Sequence, residues 1–159
     1  MLTCLPKFLC SWDFRVTGLA SGPADLSFNF FTEQGSISFD GVQMKIRKHG
    51  PLSGRWTLED NGETLAEGHK PSAMFRAFKI RSANAEIELK AASAFARGFQ
   101  LSKGGSIVGT IRPAHAFTRR AFIDCSLEVP ELIQLFSFWL VVVTWRRAAN
   151  NSNSGAANL

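Results

Sequence analysis

The sequence predicts a mainly β protein with one helix: an antiparallel β-barrel, or a strongly curled meander, around a C-terminal hydrophobic helix. Three observations predict it. The apolar segment Leu132–Trp145 has to be hidden from water almost all round. Ahead of it lie short segments in which apolar and polar residues alternate, the period-two signature of strands with one face to bury. Turn signals recur between those segments at short intervals, as in a meander that curls or closes.

The apolar segment reads as helix because it is too long for an ordinary strand of about 5–6 residues. Pro130 fits the first turn, where its missing N–H costs nothing. Glu131 is placed for the positive end of the helix dipole, and Arg146 and Arg147 for the negative end, so the predicted helix covers residues 130–147. The run Val141-Val142-Val143-Thr144 pulls toward strand, since β-branched side chains lower helix propensity; burial overrides that preference. Gln134, Ser137 and Thr144 form a thin polar stripe on an otherwise apolar cylinder, the pattern of a protein interior or a membrane. At about 1.5 Å per residue the apolar part is about 21 Å long, against about 30 Å of bilayer hydrocarbon. Length favours a buried core helix. A short membrane anchor is the alternative, and the flanking arginines suit either setting.

The strands begin with Ser27–Thr32, followed after Gly35 by Ile37–Phe39. Val42, Met44 and Ile46 alternate with Gln43, Lys45 and Arg47. Arg55–Leu58 alternates likewise and leads through the reverse-turn signal Asp60-Asn61-Gly62 into Glu63–Ala66. Phe78 and Ile80 oppose Lys79 and Arg81; Ile87 and Leu89 oppose Glu86, Glu88 and Lys90. Phe99 and Leu101 precede the turn Lys103-Gly104-Gly105, Ile107–Ile111 follows, and Arg120–Cys125 is the last predicted strand. The stretch from Trp56 through Asn61-Gly62 to Leu65 echoes that from Phe99 through Gly104-Gly105 to Ile107, suggesting equivalent hairpins on two sides of one barrel.

At 159 residues the chain makes one domain, able to bury about two-thirds of its unfolded surface. Residues 1–26 lack clear periodicity and contain Gly18, Gly22 and Pro23; they read as a loose leader. The folded unit is 27–147. Residues 148–159, small and polar, read as a disordered tail. Trp12, Asp13 and Arg15 interrupt the N-terminus before a signal-peptide core can form, which points to a cytoplasmic location, with membrane association open. Asn150-Asn151-Ser152 matches a glycosylation acceptor, but such short matches are common.

The formal charge is +5. Lys45, Arg47, Lys48 and Arg55 fall in a stretch without acids, and so do Arg97, Lys103, Arg112, Arg119 and Arg120. If the fold joins such stretches, they form an anion-attracting face; otherwise they are a solvated exterior. The candidate anion or lipid contacts are Lys45, Arg47, Lys48, Arg119 and Arg120.

No catalytic constellation is legible. His49, His69 and His115 match no metal motif, and Cys4, Cys10 and Cys125 have no ligand spacing. Cys125 stands beside Asp124, but alternation points the two to opposite faces and gives Cys125 the face of Ile123. Lys103-Gly104-Gly105 lacks phosphate-loop spacing. The aromatic residues, 14 Phe and 4 Trp with no Tyr, fall on the apolar sides of strands rather than among the basic residues, which argues against nucleic acid. The reading is a non-enzymatic protein without metal or cofactor.

The hairpins Trp56–Ala66 and Phe99–Ile111, and Thr118-Arg119-Arg120-Ala121-Phe122-Ile123 feeding the helix, give residues 27–147 a layout that resembles the tubby C-terminal-like superfamily. That group includes tubby proteins, LURP-one-related proteins and phospholipid scramblases. The resemblance implies a closed β-barrel with a hydrophobic helix through its middle, although the chain looks short for twelve strands. It also implies a binding role: tubby domains bind phosphoinositides, and scramblases are linked to lipid movement and calcium. No acidic loop with calcium-ligand spacing is present here. The expected function is binding of anionic phospholipid headgroups or an acidic partner through a basic surface. A structural protein anchored by its C-terminal helix is the alternative.

Overall fold

In the computed structural model, residues 1–29, 31–72, 75–93, 96–116 and 118–156 are described. They form twelve strands and one helix. The strands are β1 Leu2–Pro6, β2 Phe14–Thr17, β3 Ala24–Asn29, β4 Gln34–Phe39, β5 Val42–Lys48 and β6 Arg55–Asp60, then β7 Glu63–His69, β8 Ala77–Ser82, β9 Ala85–Ala91, β10 Phe99–Lys103, β11 Ser106–Pro113 and β12 Ala121–Cys125. The helix, α1, is Glu131–Ala156. Each strand pairs antiparallel with its sequence neighbours, and β1 closes the barrel on β12 with Leu2 opposite Ile123 and Cys4 opposite Ala121. Closure leaves no unpaired edge. Twelve strands fit in so short a chain because none exceeds eight residues.

The expected leader is therefore part of the barrel. β1 and β2 each contribute only two deeply buried residues, Leu2 and Cys4, then Phe14 and Val16. Two inward positions are too few to stand out as period two, so only pairing with β12 and β3 reveals these strands. The predicted strand Ser27–Thr32 is shifted to Ala24–Asn29; its Phe30 lies outside the described residues.

Hairpin chemistry sets the tight turns. Phe39 pairs with Val42, Asp60 with Glu63 and Lys103 with Ser106, leaving two-residue loops. Both residues of each loop have positive φ: 52° and 74° at Asp40-Gly41, 48° and 89° at Asn61-Gly62, 57° and 84° at Gly104-Gly105. That is the turn whose twist matches the flanking strands, and Asn, Asp and Gly reach it most easily. The echoing hairpins also share a device, a register shift at Leu58/Glu59 in one and at Leu101/Ser102 in the other.

α1 runs through the barrel. Every residue from Ile133 to Val143 is buried. At about 100° per residue such a run covers the whole circumference, so protein surrounds the helix. Phe138 meets Phe14 of β2 edge-on at 5.0 Å between ring centroids. Trp139 stacks on Phe28 of β3 at 4.8 Å and donates its indole N–H to the Ser27 carbonyl at 3.2 Å. On the β7 side the backbone must come close: a Cβ on Gly68 would lie 2.8 Å from Leu140 Cδ1. The polar stripe is satisfied within the helix and its approach, Ser137 donating to the Ile133 carbonyl and Gln134 to that of Val129.

Both predicted ends of the helix move. Pro130 precedes α1, and its carbonyl accepts from the N–H groups of Ile133 and Gln134. At the other end α1 continues to Ala156, through most of the expected disordered tail; residues 157–159 lie outside the described set. A helix already nucleated extends at small cost per residue, even through Asn and Ser. Arg146 and Arg147 consequently do not cap it. By length and composition Glu131–Ser152 would also suffice to cross a membrane, but its apolar part is enclosed here.

Trp139→Ala should cost about 3–5 kcal/mol of unfolding free energy, measured by denaturant titration, because a fully buried ring is removed from a packed interior. Gly35→Ala should also destabilise, since its Cβ would fall 1.9 Å from the Ser27 backbone oxygen, which can yield only by moving the β3–β4 pair.

Candidate functional site

Because the strands alternate in direction, the connections alternate between the two barrel ends. One end, the floor, receives the start of α1 and holds four two-residue turns, the fourth between Ser82 and Ala85. Asp40, Asp60, Glu63, Glu128 and Glu131 lie at or beside its connections, against Lys103. The other end, the mouth, is where α1 emerges. It gathers the connections 7–13, 30–33, 49–54, 70–76, 92–98 and 114–120, none of them a two-residue turn. Its charge is opposite: Lys48, Lys70, Arg76, Arg97, Arg119, Arg146 and Arg147, with Asp13 and Glu33 as the acids among the described residues.

Two open clefts flank α1 at the mouth. The larger, about 960 Å³, is lined by Lys70, Arg76, Arg97 and Arg147 together with Trp12, Leu52 and Trp145; no carboxylate lines it among the described residues. The smaller, about 610 Å³, is lined by Glu33, Lys48, Arg146, Arg147 and Asn150, with Phe31 at its edge. Glu33 is the hub between them. Arg147 grips its two carboxylate oxygens with two hydrogen bonds of 2.6 Å, and Lys48 adds a third of 2.6 Å. Trp56 donates its indole N–H to the Glu33 carbonyl at 3.0 Å. Lys48 and Arg147 lie over the Trp56 ring, at 5.6 and 5.4 Å from its centroid. Glu33 adopts this place at a positive φ of 51°, a backbone state a glutamate rarely takes.

The electrostatics follow from crowding and burial. Burial alone would raise the Glu33 pKa, but hydrogen bonds and charge from Arg147 and Lys48 overcome it and hold the carboxyl at about 2. Lys70 titrates below the ordinary lysine range, first through burial and then through the like charges of Arg147 and Arg76, opposed by Glu33. Burial also lowers Arg76, Arg97 and Arg146. One carboxylate at the hub does not offset that many partly desolvated cations, so the mouth carries a positive potential.

The five residues proposed from sequence do not form one face. Lys45 and Arg47 lie on the outer wall of β5, where Lys45 is opposite Glu59 and Arg47 pairs with Glu59 at 3.5 Å. Lys48, one residue further, turns into the mouth. Arg119 holds the 7–13 connection: its guanidinium donates to the carbonyls of Phe8, Leu9 and Ser11 and lies over Trp12. Arg120 is exposed. Sequence reading missed Lys70 and Arg76, noted Arg97 only as part of a basic stretch, and assigned Arg146 and Arg147 to a helix end. The separation of aromatic from basic residues also fails at the mouth, where Arg97 covers Trp145 at 4.8 Å and Arg76 covers Phe99 at 5.2 Å. These rings are buried under the chain's own cations, so they are not free platforms for bases.

Among the described residues no group of three His, Cys, Asp or Glu side chains is placed to hold a metal. His49 Nε2 lies 2.8 Å from Thr57 Oγ1, and that hydroxyl donates to Glu59 at 2.6 Å. Committed to a carboxylate, it is not the nucleophile of a base-activated pair. Burial first, then Asp124, push the Cys125 thiol up to about 11, and its sulfur packs where a Cβ on Gly109 would be.

The class these features define is a closed, helix-filled antiparallel β-barrel with a basic mouth. Comparison of the chain with protein-family models, curated proteins and solved structures gives no match.

Glu33 gives a pH test. Its folded pKa is depressed, so its contribution to stability is present above the unfolded value near 4.5 and is lost as pH falls toward 2. The unfolding midpoint of the protein should drop across that window. Glu33→Gln should be less stable at pH 7 and should flatten the acid decline, as followed by thermal melts from pH 7 to pH 2.

Proposed function

We propose that the protein is a non-enzymatic binding barrel of the tubby-like type that takes anionic phospholipid headgroups at its mouth. The observation that carries this reading is the larger cleft, with Lys70, Arg76, Arg97 and Arg147 on its walls and no carboxylate among the described residues lining it. Holding partly buried like charges together costs stability, and a bound phosphate relieves that cost. Arg147 holds Glu33 through Nε and Nη2, and Arg97 holds the Ala116 and Thr118 carbonyls through Nη1, so these cations attract a phosphate mainly through their charge. Glu33 tethers Arg147 and Lys48, fixing two of the cations in place. Enclosure of α1 favours this reading over the anchored one, because the apolar circumference is already packed against the barrel. The binding surface is accordingly the mouth, with Lys48 retained from the sequence-derived set and the wall residues Lys45 and Arg47 set aside.

Vesicle co-sedimentation tests it. Binding to phosphatidylcholine vesicles should appear when phosphatidylserine is included and should weaken with added salt. Each basic residue at an anionic surface contributes about 1 kcal/mol, so Lys70→Gln with Arg76→Gln should weaken binding by roughly tenfold or more. Lys45→Gln on the wall should leave it unchanged. Equal binding to neutral and anionic vesicles would refute the headgroup reading.

A further inference from the structure

The basic clefts are ringed by apolar loop tips. Leu9 in the 7–13 connection is 95% exposed, Phe31 in 30–33 is 99% exposed and Leu52 in 49–54 is 100% exposed; Phe75 in 70–76 is also largely in water. Leu52 and Phe31 line the larger and the smaller cleft respectively. Phe75 precedes Arg76, and the Leu9 carbonyl is held by Arg119, which lies over the cleft residue Trp12. A single exposed Leu or Phe is ordinary on a protein surface. Tips of four neighbouring connections around one charged opening are a patterned surface, of the kind that marks an interaction face.

The pattern is layered. Leu9, Phe31 and Leu52 are almost wholly in water and Phe75 largely so, whereas Lys48, Lys70, Arg76 and Arg97 are partly buried behind them. The occupant must therefore offer apolar material where the tips reach and negative charge nearer the barrel. A phospholipid bilayer has that stratification, with phosphates overlying hydrocarbon; a nucleic acid has no apolar layer to receive the tips. Beyond Arg147, α1 carries no charge, so its projection sets no acid against such a surface. The floor also exposes apolar side chains, Leu127 and Ile107, but its connections carry Asp40, Asp60, Glu63, Glu128 and Glu131 against Lys103, a net acidic end where an anionic surface is repelled.

We infer that the mouth is an interfacial docking surface: Leu9, Phe31, Leu52 and Phe75 enter the headgroup–acyl boundary of an anionic bilayer while the basic clefts hold its phosphates. This rests on the headgroup reading of the mouth and adds its orientation and its apolar component. The barrel axis stands toward the membrane, and the apolar part of α1, Ile133 to Val143, stays enclosed rather than inserting.

The test uses the full chain with phosphatidylcholine vesicles with and without phosphatidylserine, and with lipid monolayers of the same mixtures. The triple variant Leu9→Ser, Phe31→Ser, Leu52→Ser should lose at least about tenfold in vesicle partition, less than full transfer of three such side chains would give. It should also penetrate monolayers less, with an unchanged melting midpoint. The double variant Leu9→Ser, Phe75→Ser, at tips that line neither cleft, should penetrate less while keeping salt-sensitive binding of soluble glycerophosphoserine. Leu52→Ser alone, at a fully exposed position, should show a smaller loss in the same direction. Ile107→Ser with Leu127→Ser on the floor should bind as the unaltered protein does. Undiminished vesicle binding by the triple variant would overturn docking by insertion and leave the headgroup reading standing. Polyglutamate bound as tightly as anionic vesicles, with no effect of the tips, would instead make the mouth a site for acidic polypeptide. Absence of salt-sensitive binding in the unaltered protein would overturn both.

Discussion

The packing of α1 inside the closed barrel is the constraint on which the molecule depends. The strands are short, and β1 and β2 bring only two deeply buried side chains each. A barrel this wide has no interior of its own; without the helix, Phe14, Trp56, Phe78 and Phe99 would face a void. The helix is equally dependent on the barrel, since Ile133 to Val143 leave it no polar face for water. Each half supplies the burial the other lacks, so neither is a stable unit alone. Fit is enforced where the two approach most closely, by the absent side chain at Gly68 and by the Trp139 indole on the Ser27 carbonyl.

Threading a helix through a barrel also sets what the ends do. The floor is closed by two-residue turns and the start of α1, where the Glu131 carboxylate accepts from the Ala20 N–H. The mouth has to let the helix out, and its connections spread around it. The clefts flanking α1 are thus a by-product of the topology, and the basic residues on their walls are the specific addition. Glu33 shows the balance struck there. It sits at a strained backbone angle, neutralises Arg147 and Lys48 in part, and leaves the larger cleft to its cations. Charge separation between floor and mouth gives the barrel a direction, which the proposed docking exploits.

Much of the architecture was legible before any coordinates, and the reasons are specific. The alternation Met44, Ile46 against Lys45, Arg47 and the Asn61-Gly62 and Gly104-Gly105 turns are local signals that the backbone obeys. The echo between the hairpins at Trp56 and Phe99 extends to a shared register shift. Illegible were β1, whose identity as a strand comes from pairing with β12 across more than a hundred residues, β2, which shows only two inward residues, and the continuation of α1 through Asn and Ser, which a nucleated helix carries along. The site was the least legible. Lys48 was found because it falls in a basic stretch without acids, whereas Lys70 and Arg76 stand outside such stretches and Arg97 belonged to one without being singled out.

The sequence by itself determined the greasy rod, the short alternating ribbons and the turns between them, because periodicity and turn chemistry act over a few neighbouring residues. Closure through the N-terminal strands, the gathering of scattered bases at one end and their separation from the acids at the other were decided only by tertiary structure. Those depend on which connections the alternating strand directions bring to the same end, a long-range consequence of topology that no window of neighbouring residues contains.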